Sequence, residues 1–153
     1  MKWKLLNDQA EKTYALVFDK NEEFMSRLLA FAKEQTFDSS HFTAIGGFSG
    51  ATLGYFNREN KQYLQIPIKE QVEVLSLIGD IALDKGQPKV HAHVVIGYPD
   101  GIAHGGHLLE AVVWPTLEVI LTESATFMKR KIDPETGLAL IDLDASFQVM
   151  VSD

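Results

Sequence analysis

The hydrophobic pattern of the chain changes period early. Thr13-Tyr14-Ala15-Leu16-Val17-Phe18 is rich in β-branched, aromatic and aliphatic residues and predicts a strand after a polar lead. From Phe24 the apolar positions take helical spacing: Phe24, Leu28 and Phe31 fall at i, i+4 and i+7, with Met25, Leu29 and Ala32 beside them. Glu23, Arg27 and Lys33 fall on the opposite, solvated face, so the stripe reads as core rather than as a ligand groove. Asp19 and Glu22 have capping-box spacing, in which each side chain satisfies a free amide at a helix start, and the helix is expected to run to about Glu34.

Beyond the helix the period shortens towards two. Glycines at 46, 47, 50 and 54 interrupt the segment from Phe42 to Phe56 and predict a bent or bulged strand with close backbone packing. The Gly-Gly-x-x-Gly within it resembles a phosphate-cradling loop, yet no Lys-Ser/Thr follows and no strong helix pattern begins there. Asn57-Arg58-Glu59-Asn60 predicts a turn, and Tyr63, Leu64, Ile66 and Ile68 a returning strand. Val72 to Ile81 reads as a largely buried strand, with a turn at Asp84 to Pro88. A long strand follows over Val112 to Leu121, where Pro115 demands an edge or a bulge, and a last one over Thr126 to Ile132. Asp133 to Gly137 predicts a turn, and no element is assigned beyond it. One helix followed by many hairpin-connected strands, without repeat or linker, predicts a single α+β domain over residues 1–153, with a mostly antiparallel sheet.

The chemistry gathers around one hairpin. His91-Ala92-His93 lies on one side of Pro99-Asp100-Gly101, and Gly105-Gly106-His107 on the other. If those three residues form the loop, Tyr98 pairs with Ile102, and counting back sets His93 opposite His107. His91 then shares the face of His93, because side chains alternate along a strand. A two-residue turn at Asp100-Gly101 would instead set His107 opposite Val94, on the other face. In the first register, three imidazoles meet at one point, the ligand set of a zinc-type site with one position left for water or substrate. A hydrogen-bonded histidine cluster without metal is the alternative. His104 is expected to face away, and His41 stands alone and reads as structural. With no cysteine in the chain, a transition metal must rely on imidazole, carboxylate and water. Imidazoles with pKa near 6.5 predict that affinity falls below about pH 6. Asp80, Glu73, Glu110 and Glu118 are candidate general bases, each with a competing reading as a surface carboxylate, and no catalytic residue is assigned.

Charge narrows the partners. The net charge of -7 repels phosphate backbones on average, and the arginines are only Arg27, Arg58 and Arg130. The triplet Lys129-Arg130-Lys131 reads as solvated surface. Of the 153 residues 46% are hydrophobic, but no apolar run approaches the roughly 20 needed to span a bilayer. No secretory pattern opens the sequence, so the cytoplasm is the expected location.

Leu53-Gly54-Tyr55-Phe56, the string from Glu73 to Ile81, Gly86-x-Pro88-x-x-His91-x-His93, Asp100-Gly101-x-x-x-Gly105-Gly106-His107-Leu108 and Asp133-Pro134-Glu135-Thr136-Gly137-Leu138 together resemble the plants-and-prokaryotes-conserved domain, over about residues 14–140. In plants that domain follows an AT-hook; in bacteria and archaea it often stands alone. The resemblance implies an α+β fold with a mixed, largely antiparallel sheet, a homotrimer, and a histidine cluster that holds a metal in some prokaryotic members, at the positions of His91, His93 and His107. It also implies a DNA-binding or regulatory role, although this chain has no Arg-Gly-Arg hook for the minor groove. Asp80 stands where many relatives carry Asn, and Leu16-Val17-Phe18 where they often carry an arginine. His-x-His followed by Pro99-x-Gly101-x-x-His104 is similar to fragments of the cupin motifs and would make His104 a ligand. No glutamate stands near four residues after His93, and Leu108 replaces the expected asparagine. Two functions follow as expectations: a stand-alone DNA-binding or regulatory trimer with a zinc site, or a metal-dependent enzyme or small-molecule binder with the ion as Lewis acid.

Overall fold

The computed structural model describes residues 1–7 and 11–146. Among the described residues, nine strands and two helices follow in the order β1 (Lys2–Asn7), β2 (Thr13–Phe18), α1 (Phe24–Glu34), β3 (Ser39–Asn57), β4 (Gln62–Ile68), β5 (Val72–Asp84), β6 (Gln87–Gly97), β7 (Ala103–Glu123), β8 (Lys129–Ile132), β9 (Ala139–Asp142) and α2 (Leu143–Ser146). The expected α+β class, with a mostly antiparallel sheet and one main helix, is what the chain forms. β5 and β8 make the single parallel pairing among the described strands.

β3 and β7 are the spine, antiparallel from Ser40↔Glu123 to Gly54↔His107. β5 pairs with the first half of β3, β6 pairs with β5, and β6 then pairs with the start of β7. These four strands therefore close a hydrogen-bonded circuit, which leaves no edge between them. β2 and β1 extend the sheet from the second half of β7, β4 continues it along the second half of β3, and β8 and β9 extend it from the end of β5.

Apolar alternation places the core inside. Phe18, Phe24, Phe31, Phe37, Phe42 and Phe48 are all fully buried. Edge-to-face contacts pair several of them, with Phe18 and Phe24 centroids 5.2 Å apart and Phe31 and Phe37 5.6 Å apart. α1 contributes Phe24, Leu28, Phe31 and Ala32 to this core and packs on β6 and β7, as its stripe predicts.

Pro115 lies at a bulge rather than an edge. The β3–β7 register shifts between Gly46 and Phe48, opposite Trp114-Pro115-Thr116, where the strands come unusually close. A Cβ on Gly46 would sit 2.3 Å from the Thr116 carbonyl oxygen, and one on Gly47 2.4 Å from that of Trp114. The glycine cluster is thus explained by backbone approach, as expected, and not by a phosphate loop.

Several boundaries differ from the sequence reading. The helix starts later: Glu23 is the N-cap, its carboxylate accepting from Met25 N at 3.1 Å and Ser26 N at 2.7 Å. The Asp19–Glu22 spacing instead closes the preceding turn, where Asp19 N donates to Glu22 Oε2 at 2.9 Å. The turn expected over 84–88 contracts to Lys85-Gly86, both at positive φ (52° and 78°), so Gln87 and Pro88 already belong to β6. The expected strand over 126–132 begins only at Lys129. β1, β9 and α2 carry no signal strong enough to be read in advance, because each is short. Among the described residues, no helix is long and apolar enough to cross a membrane.

Candidate metal centre

The hairpin takes the three-residue loop. Tyr98 N donates to Ile102 O and Gly101 N to Tyr98 O, both at 2.9 Å, while Gly101 supplies the positive φ of 83°. Asp100 Oδ1 accepts from Ile102 N at 2.9 Å and braces the turn. The ladder then reads Gly97↔Ala103 through His93↔His107. Ala92 and Val94 point into the core, so His91 and His93 share the outer face.

Three imidazoles converge there. Ring centroids are 5.2 Å apart for His91 and His93, 5.1 Å for His91 and His107, and 5.2 Å for His93 and His107. One nitrogen from each lies within 4.8 Å of the others. His107 Nδ1 is buried and makes no hydrogen bond within the protein. Burial, then the neighbouring His91 and His93 and the charge of Lys89, push the pKa of His107 down to about 4. Partial burial, then His91, lowers that of His93. Both rings are therefore neutral at pH 7 and carry the lone pair that a cation requires.

Neighbouring strands shape the cluster. Asp80 stands opposite His91 on the β5–β6 ladder, with His91 Nδ1 3.3 Å from Asp80 Oδ2. The other carboxylate oxygen accepts from Arg130 of β8, whose side chain is only 5% exposed and whose second terminal nitrogen donates to Ala139 O at 3.0 Å. Burial raises the Asp80 pKa, but the His91 hydrogen bond and the Arg130 charge outweigh it and hold the carboxyl below its usual range. On the other flank the Tyr63 ring lies 4.8 Å from that of His107, tilted by 33°. Gly54 makes this possible: it pairs with His107, and a Cβ there would meet Tyr63 Cδ1 at 2.8 Å. Beside His93 runs a crevice of about 270 Å³ lined by Ser76, Ile78, Val95, Gly105 and Gly106.

The remaining candidates lie elsewhere. His104 sits opposite Ile96 and packs on Tyr98 with centroids 5.0 Å apart, on the face away from the cluster, so the ligand role of the cupin reading has no geometric basis. His41 is exposed on β3, paired with Asp80 across one ladder and Thr122 across the other. Glu73, Glu110 and Glu118 are exposed and outside the cluster, and of the four carboxylates only Asp80 reaches it. The basic triplet is not uniformly solvated. Lys129 and Lys131 face solvent, but Arg130 points inward, as strand alternation requires of the middle residue. That alternation was the available signal for Arg130; Tyr63 had only Gly54 to announce it.

A closed antiparallel circuit that presents three converging imidazoles from one hairpin defines an α+β protein with a candidate histidine metal centre. The model of the Plants and Prokaryotes Conserved (PCC) domain matches residues 6–125, and the chain belongs to that family. It is similar to a plant- and prokaryote-conserved (PPC) protein of Pyrococcus horikoshii, at 34% identity over 92% of this chain and 94% of that one, with a TM-score of 0.81. A metal-containing protein of Archaeoglobus fulgidus is 30% identical over 92% of this chain and 96% of that one, with a TM-score of 0.80. A candidate DNA-binding protein of Bacteroides thetaiotaomicron is 27% identical over 93% and 98%, with a TM-score of 0.83. No curated protein matches the chain.

Proposed function

We propose that this protein is a cytoplasmic, homotrimeric metal-binding member of its family, in which His91, His93 and His107 hold a divalent ion, zinc foremost, that recruits a small oxygen-donor ligand. The observation that carries the reading is the convergence of the three ring nitrogens within 4.8 Å of one another. Tetrahedral zinc with bonds of about 2.0–2.1 Å needs nitrogens roughly 3.4 Å apart, a distance that small ring rotations reach. The donors fit in kind as well: two rings are held neutral by their surroundings, and His107 Nδ1 has no partner within the protein. The similarity to a metal-containing protein of Archaeoglobus fulgidus supports the same reading.

When bound, the ion would supply Lewis acidity to a ligand oxygen. The chain's own residues do the rest. Tyr63 packs one face of His107 and limits its rotation, while Ile78 and Val95 provide an apolar wall beside His93. Elemental analysis of protein purified without a histidine tag is expected to find roughly stoichiometric zinc, lost in the triple variant His91→Ala, His93→Ala, His107→Ala. Absence of metal under zinc-replete conditions would favour a purely hydrogen-bonded cluster.

Trimer formation is supported by an apolar outer face containing Ile45, Leu75, Ile78, Val95 and Ile120, each between 42% and 61% exposed in the single chain. A DNA-related role is the second reading, favoured by the similarity to the Bacteroides candidate DNA-binding protein. Titration with duplex DNA at low and physiological salt tests it, and absence of binding at low salt removes direct DNA contact.

A further inference from the structure

We propose that Asp80, clamped by Arg130, is a positioning residue of the histidine centre: it fixes His91 as the Nδ1–H tautomer and so turns the Nε2 lone pair toward His93 and His107. The metal half of this inference rests on the function proposed above, whereas the tautomer half stands without it.

A neutral imidazole carries one proton on two nitrogens, and its partners decide which. Asp80 lies directly opposite His91 on the ladder, with Oδ2 3.3 Å from Nδ1. An ionised carboxylate can only accept, so Nδ1 must carry the proton and Nε2 the lone pair. Asp80 is itself held: its Oδ1 accepts from Arg130, and Arg130 is anchored by its bond to Ala139 O at 3.0 Å with its side chain 5% exposed. A relay thus runs from the β9 backbone through Arg130 and Asp80 to His91. Carboxylate partners of this kind orient a ligating histidine and raise its basicity, and their loss typically costs 10–100-fold in metal affinity.

The clamp makes a distinctive forecast for Asp80→Asn. Arg130 would keep the amide oxygen, leaving the amide NH2 to face His91. That donor forces Nδ1 to accept and moves the proton to Nε2, which withdraws the lone pair from the centre. An isosteric change should therefore reverse the tautomer. Adding Arg130→Met frees the amide to rotate and present its oxygen to His91 again.

Long-range proton–nitrogen NMR of the metal-free protein reads the tautomer, and competition with a chromophoric chelator reads zinc affinity. The wild type is expected to show Nδ1–H at His91. Asp80→Asn should shift it to Nε2–H and weaken zinc binding about 10–100-fold, and the double variant should recover part of both. A general loss of packing would not be repaired by a second substitution. Nε2–H in the wild type, unchanged affinity in Asp80→Asn, or a double variant no better than the single one would each overturn the assignment. Wild type that shows Nδ1–H but binds no zinc would defeat the metal reading and leave the tautomer assignment supported.

Discussion

At the scale of single residues, protons and the proposed metal would compete for the same lone pairs. His107, with its pKa pushed down to about 4, resists protonation well below the ordinary imidazole range, and His93 is lowered in the same sense. Their share of the loss in zinc affinity should therefore fall at lower pH than the value near 6 expected from unperturbed rings. A chelator-competition series from pH 7.5 to 5 checks this; an affinity that collapses in step with three ordinary imidazoles would contradict it. The linkage has a second consequence for the metal-free protein. An unfolded histidine takes up its proton near 6.5, whereas folded His107 does so near 4, so the unfolded state binds more protons between these values. Stability should fall as pH drops from about 6.5 toward 4, and His107→Gln should flatten that slope in urea titrations. Gly54→Ala, which sets a methyl 2.8 Å from Tyr63 Cδ1, should displace Tyr63, destabilise the fold by about 1–3 kcal/mol and weaken zinc binding. The three histidines were legible in advance because a local turn sets their register. Tyr63 and Arg130 were not, since the β3–β4 hairpin reaches His107 only through the β3–β7 pairing and β8 reaches Asp80 only through its pairing with β5, both remote in sequence.

Among the elements, α1 depends on a single carboxylate. Glu23 caps Met25 N and Ser26 N and also accepts from Ala111 N of β7 at 3.2 Å, so it joins helix to sheet. Burial raises its pKa, but the hydrogen bonds from Ser26, Ala111 and Met25 outweigh this and lower it. Its stabilising effect is full above the unfolded value of about 4.5 and disappears as pH falls through the lower folded value. Glu23→Ala should cost about 1–2 kcal/mol at pH 7, with the difference from wild type narrowing in acid. Equal stability of the two proteins at pH 7 would refute the cap. Sequence spacing pointed to Asp19 and Glu22 because a capping box and a turn closed by the same bond look alike until the chain beyond them is fixed. Long strands with glycine-marked turns were readable from alternation and turn chemistry. β1 and β9 owe their form to pairing with β2 and β8, because each is too short to carry a clear pattern of its own.

For the whole molecule, charge and apolar surface point in different directions. A net charge of -7 per chain becomes -21 in a trimer (three times -7), which opposes sequence-independent binding to phosphate backbones. The apolar outer face instead favours contact with another protein surface. Ile78 and Ile120 are 56% and 48% exposed, flanking Thr43 on neighbouring strands. The double variant Ile78→Glu, Ile120→Lys should leave the circular dichroism spectrum unchanged and shift the sedimenting species from three times 17.1 kDa to one. A monomeric wild type would exclude the trimer. Bound metal itself is tested most directly by anomalous diffraction at the zinc edge on crystals of untagged protein. One peak is expected about 2.0–2.1 Å from a nitrogen of each of His91, His93 and His107. No peak among the three rings, or a peak from which one of them is turned away, would contradict the proposed centre.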